Sequence, residues 1–302
     1  MEPLSTKMLE EKTQTHPCFH CGAGKNARIH LPVAPRCNIQ CNYCVRKFDC
    51  PNESRPGVTS QVLNPQEALE RFLQARKEIP QLTVVGIAGP GDALANWEKT
   101  RETLSLIRAC DPDITFCLST NGLLLPQYAD ELVQLGVTHV TVTLNAVDPL
   151  VGAQIYKHVD FMGSRYTGQI GASMLLANQL AGIKRMTELG AVCKINIVAI
   201  KDINDDHVET VVQTVKDLGV FMTNIIGHIP VEGSALANQP KMDAQELNAL
   251  RHKCEAHVRQ MYHCRQCRSD AAGPLGADHC FTPCAVPPAI QAEQPSQQPR
   301  AV

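Results

Sequence analysis

Five short apolar runs along the middle of the chain constrain its fold more than any other feature of the sequence. They are rich in β-branched residues and are separated by longer amphipathic stretches, which is typical of buried parallel strands alternating with helices. The runs span 83–89, 113–119, 139–145, 191–200 and 221–227. A weaker run at 29–35, interrupted by Pro32, is predicted to be the first strand.

The stretches between these runs carry the signals of helices. Asn64, Pro65 and Glu67 supply an N-cap, a first-turn proline and the acid of a capping box. Two later stretches repeat apolar residues at helical spacing. They are Leu175, Leu176, Leu180, Ile183, Met186 and Leu189, and then Val208, Val211, Val212, Val215 and Leu218. The sequence therefore predicts roughly six βα units, an α/β fold that right-handed crossovers curl into a partial, TIM-like (β/α)6 barrel, with its active site at the C-terminal ends of the strands.

Charge and hydropathy indicate where in the cell the protein is expected and which classes of partner they disfavour. The 302 residues include 28 Lys and Arg against 30 Asp and Glu, so bulk charge favours neither nucleic acid nor a membrane surface as a partner. No apolar run is long enough to span a bilayer, and the polar stretch 1–15 does not resemble a secretory signal. We expect a cytoplasmic protein with a flexible tail at 1–15, the barrel with cysteine-bearing extensions at 16–284, and a disordered Pro- and Gln-rich tail at 285–302.

The 14 cysteines are numerous for a protein of this kind. Because cytosolic thiols stay reduced, metal binding or catalysis is a better explanation than a disulfide framework. The cysteines cluster at 18, 21, 37, 41, 44 and 50, and again at 264, 267, 280 and 284. Cys110, Cys193 and Cys254 stand alone and are expected to be small core residues.

Cys37, Cys41 and Cys44 have the spacing C-x3-C-x2-C shortly after the predicted first strand. Four-iron clusters are held by thiolates, usually four, so three closely spaced cysteines would leave one iron open. In this position the motif resembles that of the radical S-adenosylmethionine (radical SAM) superfamily. The resemblance implies that the open iron binds the amino and carboxylate groups of SAM and that a 5′-deoxyadenosyl radical is formed. The alternative is a zinc site in which Cys50 is the fourth ligand.

Polar and glycine-rich segments end the next predicted strands. By the same resemblance, the turn at 86–94 would hold the SAM amino group through Gly89, Pro90, Gly91 and Asp92. Polar groups at the barrel mouth would suit a ribose or a carboxylate, and these are Ser119, Thr120, Asn121 and Asn145. Helix capping is the alternative explanation for the Ser, Thr and Asn residues.

A longer series of motifs narrows the resemblance to the NifB family of radical SAM enzymes, which builds the metal-cluster core of the nitrogenase cofactor. In chain order the motifs are HPC (16–18), ARIH (27–30), CNIQCNYC with KFDCPNESRPGV (37–58), GPGDALAN (89–96), STNG (119–122), TLNAVDP (143–149), SRYTG (164–168), IND (203–205), IPVEGSA (229–235) and HCRQCRSDAAGPLG (263–276). The resemblance covers residues 16–278. The chain is expected to be a short form that lacks a carrier-like C-terminal domain.

The resemblance implies a lyase- or transferase-type enzyme of nitrogen fixation that fuses two [4Fe-4S] clusters and inserts a SAM-derived carbide, giving an 8Fe-9S-C core. Besides the SAM cluster on Cys37, Cys41 and Cys44, two auxiliary clusters are implied. Their ligands would be grouped as His30, Cys50 and Cys117 for one, and Cys18, Cys264 and Cys267 for the other. His30 is also predicted to be the catalytic base. The implied partners are SAM, a cluster donor, an electron donor such as ferredoxin, and a carrier or scaffold protein.

Several features depart from the family pattern or leave alternatives open. Histidine-rich runs usually precede the A-R-x-H motif, but here the stretch 20–26 has only His20 and Cys21, either of which is an alternative N-terminal ligand. Cys280 and Cys284 are unassigned. The alternative functions are another radical SAM enzyme with auxiliary clusters, such as a peptide maturase, and a non-catalytic iron–sulfur carrier.

Overall fold

Six parallel strands alternate with helices in a computed structural model, which describes residues 6–22, 25–55, 57, 59 and 61–277. The strands are β1 Ala27–His30, β2 Ile39–Cys41, β3 Leu82–Ile87, β4 Thr115–Thr120, β5 Val137–Thr143, β6 Tyr156–Phe161, β7 Ser164–Tyr166, β8 Val192–Ala199, β9 Met222–Gly227 and β10 Ala272–Gly273. The helices are α1 Thr6–Gln14, α2 Pro65–Glu78, α3 Trp97–Cys110, α4 Leu125–Gln134, α5 Pro149–Ile155, α6 Gly168–Glu188, α7 Val208–Lys216 and α8 Ala244–Glu255. Single 3₁₀ turns lie at Leu94–Asn96 and Asp205–His207.

The main sheet confirms the predicted half-barrel. Its strand order is β10-β1-β3-β4-β5-β8-β9, in which β1, β3, β4, β5, β8 and β9 are parallel. The C-terminal strand β10 pairs antiparallel with β1, with Arg28 opposite Gly273. This pairing brings the segment that follows Cys264 and Cys267 to the first strand of the barrel.

The side chains of the parallel strands alternate between two environments, as the pleat requires. One set packs under the helices in the main core and is apolar, for example Ile29, Leu118, Val140 and Ile195. The other set points into the barrel and is largely polar. It comprises Arg28, His30, Cys117, Ser119, His139, Thr141, Lys194, Asn196 and Asn224. The interior of the half-barrel is therefore a polar site rather than a packed apolar core.

The first strand ends earlier than predicted. The sequence indicated 29–35, but β1 spans Ala27–His30 and stops before Pro32, because proline has no N–H to donate to the neighbouring strand. The extended chain beyond it then leads to the cysteine loop. This loop starts a second sheet, of order β2-β6-β7 and antiparallel, that the sequence did not reveal.

The predicted helix starts agree with the structure. Asn64 caps α2 by accepting the N–H of Glu67 at 3.0 Å, while the Glu67 carboxylate accepts the N–H of Asn64 at 2.7 Å. The valines of α7 are all buried against the sheet. Both helices therefore form where local capping and periodicity placed them.

The N-terminal segment differs from the flexible tail predicted for residues 1–15. Helix α1 occupies Thr6–Gln14, because two of its side chains bond to the sheet. The Thr13 hydroxyl lies 3.0 Å from His139 Nε2, and Lys12 Nζ donates to the carbonyl of Asp113 at 2.6 Å. The tail predicted at 285–302 lies outside the described residues. Within the described part of the chain, no helix is long and apolar enough to cross a membrane.

Candidate active site

Two adjacent cavities open at the barrel interior, and the predicted site residues divide between them. The first, of about 430 Å³, is lined by Cys37, Cys41, Cys44 and Cys50, with Gly91, Asp92, Ser119, Thr120 and Asn121 on its walls. The second, of about 590 Å³, is lined by Cys18, His30, Cys117, Cys264 and Cys267. Glu53 and Ser119 line both cavities, so the two are neighbours.

The loop 37–44 presents its three thiols to the first cavity. The amide of Gln40 holds the loop closed by donating to the carbonyls of Cys41 at 2.9 Å and Cys44 at 2.8 Å. Burial raises the pKa of the Cys37 thiol to about 11 and that of Cys41 well above its usual range. These thiols lose their protons at neutral pH only beside a compensating cation, and iron would supply that charge.

The turn after β3 is built on close backbone contacts with the segment that leads into Cys37. The N–H of Gly91 donates to the carbonyl of Ala34 at 2.6 Å, and that of Asp92 to the carbonyl of Arg36 at 2.8 Å. The turn includes a cis peptide bond between Gly89 and Pro90. It therefore fixes one wall of the first cavity relative to the three thiols.

Asp92 was predicted to bind the cofactor, but both of its carboxylate oxygens are used within the protein. One accepts the N–H groups of Leu94 at 3.0 Å and Ala95 at 3.1 Å. The other accepts the Thr120 hydroxyl at 2.9 Å and the Asn121 N–H at 2.6 Å. Asp92 thus joins the ends of β3 and β4 and shapes the cavity wall that it lines.

The other predicted SAM-binding residues differ in position. Ser119, Thr120 and Asn121 line the first cavity, whereas Gly89 and Pro90 do not. Asn121 also caps the segment after β4, since its side-chain oxygen accepts the N–H of Leu123 at 2.9 Å. Asn121 therefore has both of the roles considered for the polar residues after β4, since it lines the cavity and also caps the backbone.

Asn145 does not line either cavity. Its side chain donates to the Tyr43 hydroxyl at 2.7 Å and accepts the N–H of Val198 at 2.8 Å. Tyr43 lies within the cysteine loop and is fully buried. Asn145 therefore supports the loop from behind instead of facing the cavity that the sequence assigned to it.

A close contact in the turn gives a testable prediction. A side chain at Gly91 would place its Cβ 2.8 Å from the carbonyl oxygen of Ala34 and closer still to Arg36, both backbone atoms that cannot move aside alone. We expect Gly91→Ala to reduce SAM cleavage at least roughly tenfold, a loss of about 1.4 kcal/mol of transition-state stabilisation. The measurement is the 5′-deoxyadenosine yield of reconstituted protein. Gly227→Ala is the control and should keep the wild-type yield, because the backbone of Gly227 is not left-handed and its Cβ would meet Leu247 Cδ2 at an ordinary 3.7 Å.

Cys50 lies on the wall of the first cavity and not beside His30 and Cys117 as the predicted grouping requires. Burial raises the pKa of its thiol well above the usual range, and the neighbouring thiols of Cys44, Cys37 and Cys41 raise it further. Cys18, by contrast, shares the second cavity with Cys264 and Cys267, as predicted. The structure therefore brings together one predicted group of three and divides the other.

His30 faces the second cavity from the end of β1. Its Nδ1 lies 3.1 Å from the carbonyl oxygen of Arg268. A carbonyl can only accept, so Nδ1 carries the proton there and Nε2 presents its lone pair. This is the arrangement of many metal-binding histidines, whose second nitrogen donates to a carbonyl or carboxylate.

Three charged side chains of the site were missed by the sequence analysis. Arg28 donates to the sulfur of Cys267 at 2.9 Å, and Lys194 lines the second cavity from β8. The third is Glu53, which accepts from the Asn196 amide at 2.9 Å; burial raises its pKa to about 7, although Lys194 opposes the shift. The sequence carried a signal for Arg28 and Lys194, the alternation of polar and apolar residues in ARIH and VCKINIVA. In a buried strand, polar residues at every second position point into the barrel.

The other cysteines of the described residues, and His20, line neither cavity. Cys193 and Cys254 are buried in the main core, as expected, but Cys110 is exposed at the end of α3. The His20 ring lies against Gly22, whose N–H donates to it at 3.2 Å, and Cys21 is exposed. Cys280 and Cys284 fall outside the described residues. Among the described residues, no three metal-binding side chains converge on a single ion position, and the thiols instead line the cavity walls.

A family model described as the radical SAM superfamily matches residues 31–215. Curated relatives described as "FeMo cofactor biosynthesis protein NifB" are 50% identical over 89% of the chain in Bradyrhizobium diazoefficiens, 47% over 98% in Klebsiella pneumoniae and 48% over 91% in Frankia alni. The chain spans 55%, 65% and 56% of these three relatives, respectively.

Solved structures share the fold at low sequence identity. Streptococcus suis SuiB bound to S-adenosylmethionine is 15% identical, with a TM-score of 0.54 over 78% of this chain and 49% of that one. The protein anSMEcpe with bound AdoMet is 16% identical, with a TM-score of 0.55 over 78% of this chain and 63% of that one. These likenesses concern the half-barrel alone.

Proposed function

Because this chain belongs to the radical SAM superfamily, we propose that Cys37, Cys41 and Cys44 hold a resident [4Fe-4S] cluster that binds and cleaves SAM. The cluster would supply one electron to SAM and so generate the 5′-deoxyadenosyl radical. The supporting geometry is a cavity that opens onto three thiols of one loop. Gly91 and Asp92 close one side, and the end of β4 closes another.

We further propose that the chain acts in biosynthesis of the iron–molybdenum cofactor of nitrogenase. The NifB relatives carry that description at 44–50% identity. The observation that carries the proposal is the second cavity, in which five of the six remaining predicted ligands meet beside the first. Four thiols and an imidazole around one chamber are the ligand types that iron–sulfur clusters take.

The finer proposal is fusion of two [4Fe-4S] substrate clusters with insertion of a carbide from the SAM methyl group, to give an 8Fe-9S-C core. Cys18, Cys264 and Cys267 would hold one substrate cluster. His30 and Cys117 from the second cavity and Cys50 from the first would hold the other. That cluster would lie at the boundary between the two cavities, which Glu53 and Ser119 line. That location places it nearest the SAM site, and the step that joins carbon to iron requires such proximity.

His30 is proposed as both a ligand and a proton acceptor. The carbonyl of Arg268 orients its ring, so that Nε2 faces the cavity. A neutral imidazole leaves iron more readily than a charged thiolate. Once released, the same nitrogen can accept a proton from the carbon. A cluster donor, a reductant and a carrier protein for the product complete the proposed set of partners.

Anaerobic reconstitution with iron and sulfide tests this function. Three four-iron clusters correspond to about twelve irons per chain, and the loaded protein should restore activity to a nitrogenase extract that lacks cofactor. SAM cleavage with full iron but no restoration would favour a different radical SAM enzyme with auxiliary clusters. Binding of iron without SAM cleavage would favour a carrier.

The pair of C-terminal cysteines gives a sharper prediction. The Cys264→Ala/Cys267→Ala variant should keep reductive SAM cleavage, because neither thiol lines the first cavity. It should lose about four irons, one cluster's worth, and yield no cofactor core. A Cys110→Ala/Cys254→Ala variant, which alters two cysteines outside both cavities, should keep its iron. An unchanged iron content in the Cys264/Cys267 variant would show that this pair is structural.

A further inference from the structure

Two N–H donors in the second cavity, on His16 and Lys194, have no oxygen or nitrogen acceptor among the residues that the structure describes. The first belongs to His16, which is only 1% exposed and lines the cavity. Its Nδ1 accepts the N–H of Cys18 at 3.1 Å, so a neutral ring carries its proton on Nε2. Among the described residues, that buried Nε2 has no hydrogen-bond partner, which is costly for a polar group removed from water.

The second group is the ammonium of Lys194, which lies inside the half-barrel on β8 and is 5% exposed. Its Nζ lies 4.0 Å from the sulfur of Met261 and 4.8 Å from the centre of the Phe19 ring. Both contacts are weak compared with a bond to a carboxylate or carbonyl. A cation is rarely buried in this way unless something else offsets its charge.

The surroundings show what could offset that charge. Lys194 shares the second cavity with Glu53 and with Cys18, Cys117 and Cys264, three proposed cluster ligands. His16 lies among the same groups, two residues before Cys18. Its ring packs against Phe19 at 4.6 Å and His139 at 4.8 Å between ring centres. Phe19 and His139 cover two sides of the His16 ring. Its Nε2–H can therefore find an acceptor on the side of the cavity.

We propose that His16 and Lys194 form a donor wall that hydrogen-bonds the sulfur atoms of the iron–sulfur cluster in the second cavity. The inference rests on the proposed function, in that the cavity must hold a cluster. Thiolates and sulfides are the acceptors that the cavity would contain once loaded, and both donors are already in place. Donors and positive charge around cluster sulfur stabilise the reduced, more negative state, so the wall would also raise the reduction potential.

The experiment is a redox titration of the reconstituted protein followed by electron paramagnetic resonance. Lys194→Met keeps the length and apolar packing of the stem but removes the charge. His16→Phe keeps the ring stack but removes both the Nε2 donor and the Nδ1 that accepts the N–H of Cys18, so Lys194→Met is the cleaner of the two variants. For each variant we expect the equilibrium constant for reduction of one auxiliary cluster to fall roughly tenfold. For a one-electron couple this lowers the reduction potential by about 59 mV. The SAM cluster, in the other cavity, should keep its potential.

Matched variants separate the donor role from a packing role. Lys194→Arg and His16→Gln retain a donor and should stay near the wild-type potential, and Lys184→Met, on the exposed face of α6, should have no effect. Loss of auxiliary iron from Lys194→Met but not from Lys194→Arg would also support the donor wall. Unchanged potentials and iron in both Lys194→Met and His16→Phe would overturn it, as would equal shifts in the conservative variants.

The unsubstituted protein distinguishes failure of this inference from failure of the proposed function. If it binds only about four irons, the second cavity holds no cluster, and both the function and the donor wall are wrong. If it binds about twelve irons and restores nitrogenase activity while the variants keep wild-type potentials, only the donor wall is wrong.

Discussion

Replacing Cys41 by alanine is expected to abolish SAM cleavage, the largest single effect that the structure predicts. Cys41 is buried at the end of β2 between the other two thiols of its loop, and each proposed cluster ligand there is needed because one iron must stay open for SAM. The yield of 5′-deoxyadenosine should fall to background. The clusters of the second cavity should remain, because no residue of the 37–44 loop lines it.

Cys193→Ala is the matched control, since Cys193 is equally buried but packs in the main core under the helices. It should retain SAM cleavage and iron content. Cys50 shares the first cavity and, among the described residues, is the one further thiol on its walls that could replace a missing ligand. A Cys41→Ala variant with wild-type yield would show that the three-cysteine loop is not the SAM site, and a Cys41→Ala/Cys50→Ala variant would then reveal whether Cys50 had taken over.

Replacing His30 by alanine should separate cluster binding from cluster fusion. The variant is expected to bind SAM and keep most of its iron, because the thiols of both cavities remain, but to give almost no functional core. Pulsed electron paramagnetic resonance should show nitrogen coupling to an auxiliary cluster in the unsubstituted protein, and the variant should lose that coupling. His252→Ala, on the exposed surface of α8, is the control and should leave coupling and core yield unchanged.

Survival of the coupling in His30→Ala would contradict the assignment of His30 as the nitrogen ligand. His16 and His20 are then the imidazoles to examine. Nδ1 of His16 accepts the N–H of Cys18, and Nδ1 of His20 accepts that of Gly22. For either to bind iron, the proton on its Nε2 would have to be displaced. Coupling that survives in a His16→Phe/His30→Ala variant would indicate His20.

Much of the fold follows from signals a few residues apart. Alternation between apolar runs and helical stripes predicted the parallel half-barrel, and the Asn64–Glu67 capping box marked the start of α2. Predictions from neighbouring residues were wrong where contacts between distant parts of the chain determine the structure. Helix α1 forms in a polar segment because Lys12 and Thr13 find partners on the sheet. In the β2-β6-β7 sheet, the two outer strands β2 and β7 have three residues each, too few for a sequence pattern to be recognised.

The candidate site also combines features that follow from neighbouring residues with features that depend on tertiary contacts. The spacing of Cys37, Cys41 and Cys44 by itself indicated one thiol loop, because those residues are close along the chain. Only the tertiary structure decided that Cys18, Cys117 and Cys264 would share a cavity, and that Cys50 would lie on the wall of the other one, because three of these four cysteines lie in loops between distant elements.

The sequence by itself determined the class of fold and the thiol loop, since periodicity and motif spacing are properties of neighbouring residues, and the family resemblance implied the set of candidate ligands. The tertiary structure alone decided which of them meet and what surrounds them. It directed the side chain of Asp92 into the protein and those of Arg28 and Lys194 into the barrel. The physical reason is that strand register and burial, which join residues far apart in the chain, set the partners and the charge environment of every group in the two cavities.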